Sequence, residues 1–187
     1  LSPGGDGVKI FIAYRPRSGM VPPDWEGYEA LHHTAYDYIV GPSGSCVGAV
    51  RHQHEMLAEH AGDAGLAREA GEVAGRTYDI SEFLVDVLGV TDVGAYFPHK
   101  VTYHPTCHSM RIARVGDKPM RLLEAVKGIT ILPLADADRC CGGAGSFSLT
   151  HYDLSRAITA KKAASIRATG ADTATAAASS WAIRRTT

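Results

Sequence analysis

"ITILPLADADRCCGGAGSFSLTHYDLSRA", residues 129–157, decides how this chain is read. An apolar run, Ile129–Leu134, has the length and β-branched content of a strand. Two adjacent cysteines, Cys140 and Cys141, then run into Gly142, Gly143 and Gly145. A helix follows over about 153–169, capped by Asp153 and closed by Gly170. Adjacent cysteines rarely bond to each other, because a trans peptide holds their Cα atoms about 3.8 Å apart, below the usual disulfide range. The same closeness lets two sulfurs reach one multi-atom centre, and the glycines let the backbone approach it without a Cβ in the way.

The strand, cysteine-bearing turn, helix order recurs upstream. "YDYIVGPSGSC" (36–46) reads as a strand at Tyr38–Val40 and a Gly/Pro/Ser turn that delivers Cys46 to the start of a helix. That helix, 46–62, places Val47, Val50, His54 and Leu57 near one face. A further helix is expected over Leu66–Val73, and Ser81 is expected to cap "SEFLVDVLGV", with Phe83, Leu84, Val87 and Leu88 as its apolar stripe. "HKVTYHPTCHSMR" (99–111) reads as a strand at Lys100–Tyr103, a turn at Pro105, and Cys107 entering a helix or loop. "KPMRLLEAVKG" (118–128) is a helix with Pro119 in its first turn and Gly128 at its end. "VKIFIAY" (8–14) is a short strand, residues 15–33 read mostly as loop, and residues 171–187 as a strand and a turn. The expected fold class is therefore α/β: two related strand–turn–helix units, spanning 1–92 and 93–187, with buried parallel sheets and the cysteine loops at the strand C-termini. Loops on one sheet edge allow distant cysteines to converge.

The 187 residues carry 19 Lys and Arg against 20 Asp and Glu, a net charge of −1. This balance offers no basic groove for nucleic acid and no attraction to an anionic membrane. No apolar run is long enough to cross a bilayer, and the opening residues lack the layout of a signal peptide, so a cytoplasmic protein is expected. In a reducing compartment, four cysteines argue for metal or redox chemistry rather than a disulfide framework. Thiolates are soft ligands that select iron–sulfur clusters, zinc or copper(I). Rival readings stay open on the residues alone. A cysteine can be a small core residue. Structural zinc prefers Cys-x2–4-Cys spacing, which is missing. "GGAGS" resembles a phosphate loop without its full spacing. A thiol–disulfide pair at Cys140 and Cys141 is a further option. Of the nine histidines, His104, His108 and His151 flank the cysteines, whereas His52 and His54, two apart, cannot share a helix face. His108 is the candidate to hydrogen-bond or ligate a bound cluster, and Arg111 could balance its negative charge.

"VTYHPTCHSMR" (101–111) together with 137–172 resembles the cysteine-rich CCG domain of iron–sulfur subunits in the heterodisulfide reductase, glycolate oxidase and lactate-utilisation group. "YDYIVGPSGSCVGAVRHQH" (36–54) resembles the end of that family's first repeat, and the match to the lactate-utilisation branch is closest. The 32 residues between Cys107 and Cys140, positions 108 to 139, suit the family's gap before Cys-Cys-Gly. The resemblance implies two repeats paired about a pseudo-two-fold and a [4Fe–4S] cluster. It places Cys107, Cys140 and Cys141 as second-repeat ligands, Cys46 as the last ligand of the first repeat, and Gly142, Gly143 and His108 beside the cofactor. It also implies an electron-transfer subunit, inactive alone, that works with partner subunits to oxidise a 2-hydroxy acid, L-lactate to pyruvate. Two departures stand out. The first repeat's Cys-Cys-Gly should fall near Lys9–Phe11, and the closing cysteine of the second should stand where the chain has Trp181. A frame disturbance or truncation of a longer gene is expected to account for both, and such a product could hold its cluster weakly. The alternative reading is a cluster-free remnant or interaction module of the same fold.

Overall fold

The computed structural model describes residues 37–143 and 145–176, and the backbone of 10–12 and 179–184. The loop expected over 15–33 lies outside these residues. Two small sheets organise the chain, and the mixed helices and strands place it in the α/β class. The first sheet has the order β1-β2-β3, from β1 (Ile10–Ile12), β2 (Tyr38–Gly41) and β3 (Thr77–Asp79), all parallel. The second has the order β5-β4-β6-β7, from β4 (Lys100–His104), β5 (Thr130–Leu132), β6 (Thr173–Ala176) and β7 (Ser179–Arg184). Here β4 pairs in parallel with β5 and β6, but β7 returns antiparallel to β6. The expectation of wholly parallel sheets is corrected at this hairpin: only two residues separate β6 from β7, too few for a parallel crossover. Likewise β5 is no buried strand. It lies at a sheet edge with Thr130 exposed and Ile131 and Leu132 half-buried.

Helix α1 (Gly44–His60) follows β2 after a two-residue turn, and α2 (Ala64–Gly75) packs back along it. Asp63 caps α2 by accepting the Leu66 N–H. The expected apolar stripe of α1 is only partly right. Val47 is buried, but Leu57 is 59% exposed. The buried face instead runs through Gly44, Val47 and Gly48, because the helix meets its neighbour through absent side chains rather than large ones. That neighbour is the helical turn Ser109–Ala113, which begins in the second unit just after Cys107 and is wound one residue wider than an α-helix. A Cβ on Gly44 would collide with the Ser109 Oγ and stand 3.1 Å from its Cα, and one on Gly48 would lie 2.6 Å from the Ile112 Cγ2. Val47, Ala113 and Val115 close the contact as a buried apolar cluster.

Arg51, one turn beyond, ties the units by hydrogen bonds. Its Nε donates to the Thr77 carbonyl at 2.7 Å, its guanidinium pairs with Glu82 at 2.7 Å, and it reaches the Ala113 carbonyl at 3.4 Å. Glu82 in turn accepts the Asp79 N–H, while Asp79 accepts the Ser81 N–H and hydroxyl. Asp79, not Ser81, is thus the cap of the short helix α3 (Ile80–Glu82), because the chain leaves β3 and enters the helix within one residue. The helix widens at Phe83–Val87, so Phe83 alone of the expected stripe is fully buried while Leu88 is half exposed.

Gly44→Ala is expected to lower stability by about 2 kcal/mol, as overpacking at a close backbone contact does. Thermal melts of the two proteins would show it; an unchanged midpoint would mean the units do not meet at this glycine.

Candidate functional site

Each cysteine of the second unit is brought by a different local device. β4 ends at His104, and Pro105 breaks the strand. Thr106 then accepts the Ser109 N–H at 3.1 Å and donates to the Ser109 Oγ at 2.8 Å, a side-chain cap that starts the helical turn and fixes Cys107 in it. Helix α4 (Lys118–Glu124) precedes the edge strand β5, which leads through 133–139 to Cys140 and Cys141. From there α5 (Phe147–Thr150) and the long α6 (Tyr152–Ala168) carry the chain away. α6 starts a residue earlier than expected, and Asp153 lies inside its first turn without capping it; Gly170 closes it in the left-handed conformation.

The turn that follows the cysteine pair is held against α6 by its carbonyls. The Ser155 hydroxyl, buried, donates to the Gly142 carbonyl at 2.8 Å, Ser148 donates to the same oxygen at 3.3 Å, and Thr159 donates to the Cys141 carbonyl at 2.9 Å. Gly142 itself has φ +81, and a Cβ there would stand 2.5 Å from the Ser155 carbonyl and 2.6 Å from the Thr159 Oγ1. Only glycine meets both demands. With its carbonyl turned to α6, the Gly142 N–H points back and donates to the Cys140 Sγ at 3.3 Å.

The three second-unit thiols meet. The Cys107 thiol lies near enough to those of Cys140 and Cys141 for each to act on it. Burial, followed by this proximity to Cys140, pushes the Cys107 thiol up, and the Arg111 guanidinium opposes the rise. Cys107 and Cys141 are half-buried, while Cys140 is open to solvent. Cys46 lies exposed in the first turn of α1 and is not among the groups that act on Cys107. His108 is exposed on the helical turn, outside the set of groups acting on Cys107. Gly143 is exposed, and its Cβ position would lie 3.8 Å from the Cys141 Sγ. Trp181 falls in β7, whose side chains lie outside the described residues. Among the described residues no three of His, Cys, Asp and Glu close around a single ion. The soft donors gathered here are the thiols of Cys107, Cys140 and Cys141, with the Gly142 N–H aimed at the Cys140 sulfur.

His104 escaped the sequence reading as a structural group. It is buried, its Nδ1–H donates to the Ala137 carbonyl at 2.8 Å, and its Nε2 has no partner among the described residues. Burial pulls its basicity below the ordinary imidazole value; the Ala137 bond opposes this and the nearby Lys162 charge adds to it. A histidine with a depressed folded-state value stabilises the fold above about pH 6.5, the unfolded value, and that stability drains as pH falls through it. The metal-free protein is therefore expected to lose midpoint temperature between about pH 7.5 and about pH 5. His104→Asn, which keeps a donor toward Ala137, should flatten that loss. Parallel melts check this, and equal acid losses in both proteins would count against it.

Among the described residues no helix is long and apolar enough to cross a membrane. Residues 101–180 match the family model of the cysteine-rich CCG domain. Over those residues the chain is similar to this family of cysteine-rich proteins, and the second-unit thiols lie within the matched segment. Along most of its length the chain is also similar to Lactate utilization protein A. It is 42% identical to that of Oceanobacillus iheyensis over 136 residues, 73% of this chain and 54% of the relative. It is 40% identical to that of Exiguobacterium over 144 residues, 77% and 58%, and 38% identical to that of Anoxybacillus flavithermus over 152 residues, 79% and 63%. The matches thus span between half and two thirds of these relatives.

Proposed function

We propose that the chain is an iron–sulfur electron-transfer component of a lactate-utilisation system, in which a 2-hydroxy acid, L-lactate, is oxidised to pyruvate by a complex with partner subunits. The observation that carries this reading is the meeting of Cys107, Cys140 and Cys141, remote in sequence, in a turn whose Gly142 N–H faces a sulfur. The resemblance to Lactate utilization protein A supplies the system and the substrate. Cys107, Cys140 and Cys141 would hold three corners of a [4Fe–4S] cluster, which would supply one-electron redox chemistry. The chain's own part is to keep these sulfurs together, to donate a peptide N–H to one of them, and to offset thiolate charge with Arg111. Gly142 and Gly143 let the backbone stay close, Cys46 is the remaining ligand of a first-repeat site, and His108 is a candidate for the open position. Residues 1–92 and 93–187 would be the two repeats, and the system would operate in the cytoplasm.

Protein made with intact cluster assembly and purified anaerobically is expected to carry about four irons and four sulfides per chain and to give an EPR signal on reduction. A second reading, a cluster-free module of the same fold, is favoured by the lack of a three-donor site around one ion among the described residues. Iron and sulfide below about a tenth of that stoichiometry would establish it.

A further inference from the structure

The carbonyls of the loop before and through Cys-Cys-Gly are gripped one after another. Ser165 donates to the Ala135 carbonyl at 2.7 Å, Lys162 to that of Asp136 at 2.5 Å, and His104 to that of Ala137 at 2.8 Å. Thr159 and Ser155 take the carbonyls of Cys141 and Gly142. Four of these donors, Ser155, Thr159, Lys162 and Ser165, form one face of α6 at helical spacing. Lys162 stands apart from the other three. It is only 6% exposed, and no carboxylate among the described residues forms an ion pair with it. A buried ammonium is costly unless an anion or several acceptors compensate it. The Asp136 carbonyl is a partial answer to that cost, and it fixes the ammonium on the loop that leads to the cysteine pair.

We infer that Lys162 positions the Cys-Cys-Gly turn: its ammonium pins the loop at Asp136, so that the Gly142 N–H stays on the sulfur side. The pinning belongs to the protein with or without iron.

Hydrogen exchange on the full-length, metal-free chain tests the pinning. In Lys162→Met, the amides of Cys141–Gly143 are expected to exchange about tenfold faster, the worth of one lost hydrogen bond, while those of β4 keep their rate. Lys162→Arg should restore protection. Thr159→Val, an exposed position one turn away, should loosen the same amides. Unchanged loop amides in both Lys162→Met and Thr159→Val overturn the inference, and so does a rise matched in β4. If Lys162→Met fails to fold, the arginine variant decides: native loop protection upholds the role, and a second unfolded protein overturns it. Wild type that takes up no iron, yet shows the exchange contrast, sinks the cluster reading and keeps the pinning. Iron uptake with no exchange contrast does the reverse.

Discussion

Cys140→Ser is expected to strip the chain of iron while leaving its fold intact. The side chain is exposed and fills no core space, so its loss should change stability by no more than about 0.5 kcal/mol, as at other surface positions. Its sulfur, however, is where the thiols come together: it accepts the Gly142 N–H at 3.3 Å and acts on the nearby Cys107 thiol. A serine hydroxyl is a hard donor that stays protonated near neutrality, and soft cluster iron selects thiolate over it. Iron per chain, measured after anaerobic purification, should fall from about four to below one. Cys46→Ser is the informative companion. That thiol stands on α1, apart from the groups that act on Cys107, so its loss should leave second-unit iron in place. Equal iron in wild type and Cys140→Ser would break the assignment of ligands. A thiol–disulfide role for Cys140 and Cys141 predicts that outcome instead.

The second large effect belongs to a residue with no side chain. Gly142→Ala must place a Cβ 2.5 Å from the Ser155 carbonyl and 2.6 Å from the Thr159 Oγ1, at a φ of +81. Left-handed backbone costs a non-glycine residue about 1–2 kcal/mol, and overpacking adds about 1–3 kcal/mol. The turn can relieve the clash only by leaving α6, which gives up the hydrogen bonds from Ser155, Ser148 and Thr159 together. A loss of about 3 kcal/mol, or a midpoint about 10 °C lower for a chain of this size, is expected in thermal melts. Gly143→Ala provides the control. Its φ is not in the left-handed range and its nearest would-be contact is 3.8 Å away, so its midpoint should stay within about 1–2 °C of wild type. A Gly142→Ala melt as high as that control would show that the turn is not seated on the helix.

Much of this was legible before any coordinates. Tyr38–Val40 and Lys100–Tyr103 read as strands because β-branched and aromatic residues end at Gly or Pro, and strands stand there. The turn that hands Cys46 to α1 was equally plain. The errors share a cause. Leu57 looked like core because apolar periodicity assumes that helices meet through large side chains. α1 meets its neighbour through Gly44 and Gly48, which periodicity scores as blanks. Ile131 and Leu132 looked buried because a short apolar run does not say whether its strand is central or at an edge. Ser81 looked like a cap because Asp79 belongs to the preceding strand. The row Ser155, Thr159, Lys162, Ser165 was open to view at helical spacing. It was not singled out, since nothing local says that a loop from before the cysteines lies along it.

The linear chain by itself determined the residue chemistry: soft thiols beside glycines, alternating strands and helices, and a near-even balance of charge. These follow from residue type and from spacings within a few turns, where local sterics and periodicity govern. Only the tertiary structure decided which thiols meet, which glycines are irreplaceable, and that a buried lysine grips the loop. Those outcomes depend on contacts between residues from 13 to more than 60 positions apart, set by how two sheets and α6 close on one another rather than by any local preference.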